Sequence, residues 1–135
     1  MENKAIIVNK YEIIERCINR INEEYNNDVN SLEDYRRQDC ILLNLQRACQ
    51  AVIDIASYMV SVRKLGMAQT KAELFELLYI NKLIDKEMAN NLKNMVAFRN
   101  IAVHDYKNVE TEIVIEVIEK HLENLKEFAR KMIAI

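Results

Sequence analysis

The stretch Arg99-Asn100-Ile101-Ala102-Val103-His104-Asp105-Tyr106 places a guanidinium, an imidazole and a phenol close together in the chain. An imidazole exchanges protons near neutral pH, and a permanently charged guanidinium holds an anion through a fork of N–H donors. Arg99 and His104 are five residues apart, which on an unbroken helix puts them about 140° apart around the axis. They converge only if the helix relaxes or ends near His104, and Asp105, Lys107 and Asn108 favour such an ending. On spacing alone a plainer reading also stands. In it, Arg99 pairs with a nearby acid, His104 caps a helix end, and Tyr106 packs its ring with the hydroxyl at the surface.

The other chemistry-bearing residues point to structure. His121, between Ile118 and Leu125, reads as a histidine flanking the core with a solvent or backbone partner. Cys17, Cys40 and Cys49 show no C-x-x-C spacing and fall within helical apolar patterns, so they read as reduced, buried small hydrophobes. With two histidines and no close cysteine pair, a zinc site of about four converging ligands is not expected. Arg36, Arg37, Arg47, Arg63 and Lys64 are interspersed with Glu33, Asp34, Asp39 and Asp54, the pattern of solvated helix faces. Among these acids, Asp54 is placed on the central helix, where it could orient His104 or pair with Arg99.

The elements that must carry these residues are helical. The 135 residues include no proline and one glycine, so turn punctuation is nearly absent, and the length fits one domain, 1–135. Ile7, Tyr11, Ile14, Cys17, Ile18, Ile21 and Tyr25 form one stripe on a first helix that ends in Asn26-Asn27-Asp28. Ser31 is the expected cap of a central helix with the stripe Leu42, Leu45, Cys49, Val52, Ala56, Met59. Ile41, Ala48 and Ile55 widen that stripe, and Gly66 is the expected left-handed residue beyond its end.

Thr70-Lys71-Ala72-Glu73 opens a short helix as a capping box, and Asp85 caps the helix that runs into Arg99. A closing helix begins after Asn108 with Val114, Val117, Ile118, Leu122, Leu125, Phe128 and Met132 inward. Short connections make neighbours antiparallel, so the expected fold is an all-α, up-down bundle of about five helices, four long and one short. The formal net charge of -2 provides no global field for nucleic acid, so any RNA contact must be local. No apolar run nears the roughly 20 residues of a membrane span, and a cytoplasmic location is expected.

Arg99-Asn100-x3-His104-x-Tyr106 resembles the R-x4-H-x-Y motif of HepT-like proteins of the HEPN superfamily, including the polar residue that follows the arginine. The resemblance extends over nearly the whole chain, including the central-helix run Gln46-Arg47-Ala48-Cys49-Gln50-Ala51-Val52-Ile53-Asp54-Ile55-Ala56. It departs at Leu65–Thr70, which lacks the proline that relatives often carry there. The resemblance implies a metal-independent, cofactor-free RNA endonuclease that homodimerises around one cleft, with Arg99 and His104 catalytic and Asn100 supporting. It further implies that Tyr106 accepts AMP from a minimal nucleotidyltransferase antitoxin, and that DNA, lacking the 2′-hydroxyl, is not cut. Two rival readings are a HEPN dimer that binds nucleotide or a partner nucleotidyltransferase without cutting, and a plain dimeric scaffold.

Overall fold

The computed structural model of the chain describes residues 3–104 and 110–135, with backbone alone for 101–104. Helix α1 spans Lys4–Tyr25, capped by the Asn3 side chain, and buries Ile7, Ile14, Cys17, Ile18, Ile21 and Tyr25. It stops where Asn26 and Asn27 take φ of 50° and 54°. Asparagine enters that left-handed region more readily than most residues, because its short polar side chain bonds locally.

The expected cap at Ser31 is corrected by the structure. Ser31 lies in the 3-10 turn Val29–Glu33, buried, with its hydroxyl 2.6 Å from the carbonyls of Tyr25 and Asp28. It ties the turn to the end of α1 instead. Asp34 caps α2 (Tyr35–Val62), accepting from the Arg36 and Arg37 N–H groups at 3.0 and 3.4 Å. A carboxylate there also suits the positive end of the helix dipole.

Both stripes of α2 are buried along their length, from Ile41 and Leu42 to Ala56 and Met59. As expected of a central helix, α2 packs against α1, α3, α4 and α6. Its end departs from the expectation for Gly66, because the left-handed residue is Lys64, at φ 53°. The Lys64 N–H donates to Ser61 and the Leu65 N–H to Val60, the paired bonds of a Schellman ending. Gly66 serves the loop beyond, at φ 135°, where a Cβ would sit 3.1 Å from Leu77 Cδ2.

Helix α3 (Lys71–Ile80) opens at Thr70, whose hydroxyl accepts from the Glu73 N–H, while the Glu73 carboxylate reaches back to the Gln69 N–H. It ends like α2, with Lys82 left-handed at φ 65°. Asp85 caps α4 (Lys86–His104), accepting from the Met88 N–H at 2.8 Å, and Leu92, Met95, Val96 and Phe98 are buried.

The closing helix is interrupted, which the apolar stripe did not anticipate. It is built as α5 (Thr111–Glu116), a π turn (Val117–His121) and α6 (Leu122–Ala134). The π turn inserts extra backbone and shifts the phase between the two halves. Within it Glu119 accepts from the buried Tyr25 hydroxyl at 2.6 Å, joining the end of α1 to the middle of the closing run. Phe75 and Phe128 meet edge to face at 5.8 Å, pinning α3 to α6. With the closing run taken as one, these helices form the up-down all-α bundle. No helix among the described residues is long and apolar enough to cross a membrane.

Candidate active site around Arg99

The apolar stripe of α4 orients Arg99. Phe98 goes into the core, and the next residue, a turn of about 100° further on, sits half-buried at the edge facing α2. There Arg99 Nη2 donates to Gln50 Oε1 at 2.9 Å, and Nη1 lies 3.4 Å from Asn100 Oδ1. Its Nε is buried and, among the described residues, lacks a hydrogen-bond partner. A guanidinium carries five N–H donors in one plane, so among the described residues two contacts leave most of its donor capacity unused.

The contacts continue across the bundle. Gln50 Nε2 donates to Asp54 Oδ1 at 2.9 Å, one helical turn along α2, and Lys10 Nζ of α1 donates to Asp54 Oδ2 at 2.9 Å. Arg99, Gln50, Asp54 and Lys10 thus form one chain of hydrogen bonds linking α4, α2 and α1. Beside it, burial pushes the Cys49 thiol up to about 12, against the opposing pull of the Arg99 charge. An open groove runs along this face, lined by Lys10, Arg47, Gln50 and Asp54 over Ile13 and Ala51.

Several expectations change here. Among the described residues the direct partner of Arg99 is a neutral amide rather than an acid, and Asp54 is linked to Arg99 through Gln50. Gln50 had no assigned role in the sequence. Its i, i+4 spacing from Asp54 on α2 is too common a polar pair to have marked it. Arg47 shares the groove, whereas Arg36 and Arg37 are exposed at the start of α2 and Arg63 closes its other end. Cys17 and Cys49 are buried, but Cys40 is only half-buried, with its sulfur 3.5 Å from Asn44 Nδ2.

His121 flanks the core half-buried, as expected, with polar side chains for neighbours. Its Nδ1 lies 3.2 Å from Asn124 Nδ2 and its Nε2 4.0 Å from Glu116, both on neighbouring turns. The α4 backbone is helical through His104, so positions 99 and 104 stand about 140° apart around it. The side chain of His104, and Tyr106 altogether, lie outside the described residues. Among the described residues no three His, Cys, Asp or Glu side chains converge as a metal would need.

An all-α bundle that holds an R-x4-H-x-Y arginine where α4 meets α2 is of the HEPN type. Residues 10–132 match the family described as Ribonuclease HepT-like, and the chain belongs to it. It is 44% identical over 123 residues to the mRNA nuclease HepT of Shewanella oneidensis, covering 91% of this chain and 92% of that one. Identity to the tRNA nuclease HepT of Aphanizomenon flos-aquae is 26% over 129 residues, 95% of this chain and 88% of that one. A tri-AMPylated Shewanella oneidensis HEPN toxin, solved in complex with MNT antitoxin, superposes with a TM-score of 0.92 at 41% identity, covering 100% of both chains.

Proposed function

We propose that this chain is an RNA endonuclease, the toxin of a toxin–antitoxin pair whose antitoxin is a minimal nucleotidyltransferase. The observation that carries the reading is Arg99, a guanidinium held in place by a neutral amide within a chain that matches nuclease toxins over nearly its whole length. Arg99 and His104 are the catalytic residues, Asn100 supports Arg99, and Tyr106 is the AMP acceptor.

In this reading a neutral His104 imidazole takes the proton of a ribose 2′-hydroxyl as its oxygen bonds to the adjacent phosphorus. An imidazolium then protonates the 5′-oxygen as the P–O5′ bond breaks, leaving a 2′,3′-cyclic phosphate. Arg99 holds the phosphate and stabilises the charge gathering on its oxygens. Because the substrate provides the nucleophile, neither metal nor cofactor is required. A homodimer supplies two His104 residues across a two-fold axis, one as base and one as acid. AMP on Tyr106, two residues from His104, fills the cleft and offers its phosphate to Arg99.

The test is cleavage of single-stranded RNA by purified protein in excess EDTA, beside a strand of the same sequence with deoxyribose throughout. The RNA is cut and the DNA survives. Strict dependence on magnesium, or equal cutting of both strands, overturns the mechanism.

A further inference from the structure

We propose that Gln50 and Asp54 are positioning residues for Arg99, arranged so that its guanidinium is fixed in direction without being neutralised; this rests on the ribonuclease reading above. The arrangement is set by donor and acceptor chemistry. Arginine only donates and a carboxylate only accepts, so the amide between them has one allowed orientation, oxygen toward Arg99 and nitrogen toward Asp54. Turning the amide over would set Nε2 against Nη2, donor against donor. Asp54 therefore selects the face that Gln50 shows to Arg99, and Lys10 holds the second oxygen of Asp54 in place.

The choice of residue types also keeps negative charge at a distance. A carboxylate in direct contact with Arg99 would form a charge-assisted, fork-shaped pair and compete with an RNA phosphate for the same donors. With glutamine interposed, the acid sits one link further away, and its charge is met by Lys10. Among the described residues no carboxylate meets Arg99 directly, so its charge is not neutralised and its Nη groups keep N–H bonds for an incoming phosphate.

This predicts an effect that a purely structural role does not. Combining Gln50→Glu with Asp54→Asn keeps the formal charge and every hydrogen bond of the network, because the introduced amide donates to the introduced carboxylate. It moves the negative charge one link closer to Arg99, exchanging the part-exposed Lys10–Asp54 ion pair for one with Arg99. The double variant should melt like the wild type and raise the KM for RNA by about tenfold or more, with a smaller change in kcat. Asp54→Asn alone frees the Gln50 amide to turn over and should raise KM by a smaller factor, so it keeps the test decisive if the double variant does not fold.

Wild type and Arg99→Ala are assayed alongside. If the wild type cuts RNA, Arg99→Ala does not, and the folded Gln50 and Asp54 variants keep the wild-type KM, this inference is overturned while the ribonuclease reading stands. If the wild type cuts no RNA, the ribonuclease reading falls, and the inference with it.

Discussion

Arg99 and His121 are both basic side chains set half-buried beside a helix, yet their surroundings differ in reach. Arg99 is tied by a hydrogen-bonded chain through Gln50 and Asp54 to Lys10, across three helices and over 89 residues of sequence between its ends. His121 finds Asn124 and Glu116 within its own closing run, at a π turn that also receives the buried Tyr25 hydroxyl through Glu119. A cation held from several elements, with an acceptor that does not neutralise it, is prepared for a partner from outside. A histidine satisfied by the next turn is part of the scaffold. The difference predicts that damage near Arg99 removes activity, and damage near the π turn removes stability.

The largest effect that separates the two regions is catalytic. Arg99→Ala should reduce RNA cleavage on the order of 10²–10³-fold, the usual cost of losing a donor to developing charge, while the thermal transition moves little. His121→Ala, measured in the same assay, should stay within about twofold of the wild type, because no step of the mechanism uses it. Equal losses from both substitutions would erase the distinction.

In the proposed function, control runs through Tyr106. Tyr106→Phe should keep much of the cleavage and escape the antitoxin, read as growth arrest and as unchanged protein mass after co-expression. A Tyr106→Phe protein that is still modified and still silenced would move the acceptor elsewhere.

A smaller effect belongs to the π turn. Tyr25→Phe removes the bond to Glu119 and should cost about 1 kcal/mol of stability while leaving cleavage intact. Burial, helped by that bond, raises the Tyr25 hydroxyl from 10.0 to about 12, so its contribution is complete below pH 10 and is lost as pH rises toward 12. Burial likewise raises Cys49 from 9.0 to about 12, which adds to the alkaline loss from pH 9 upward. Chemical denaturation from pH 8 to 11 should show falling stability, with a shallower fall in Tyr25→Phe. A flat profile would contradict the buried environments of both groups.

What the sequence made legible follows the strength of the local signal. The stripes of α1 and α2 and the caps at Thr70 and Asp85 rest on spacing or on one side chain bonding its own turn, and the structure reproduces them. Ser31 and Gly66 misled because each residue type suits more than one job. Ser31 could bond backward as easily as forward, and a left-handed lysine at 64 freed the glycine for the approach to Leu77. The π turn was hidden because a phase shift of one residue leaves the stripe Val117, Ile118, Leu122 looking like ordinary helix. Arg99 could be singled out from its motif, but Gln50 could not, since the two are 49 residues apart and meet only through packing.

The central claim is that His104 moves the proton for a nucleophile that RNA itself supplies. It is tested most directly by single-turnover cleavage of RNA in EDTA with wild type and His104→Ala, with the 3′ ends of the products identified by mass. The account predicts 2′,3′-cyclic phosphate from the wild type and a rate lower by about 10²–10⁴ in a His104→Ala protein that remains folded. Equal rates, or products that end in a 3′-hydroxyl, would contradict it.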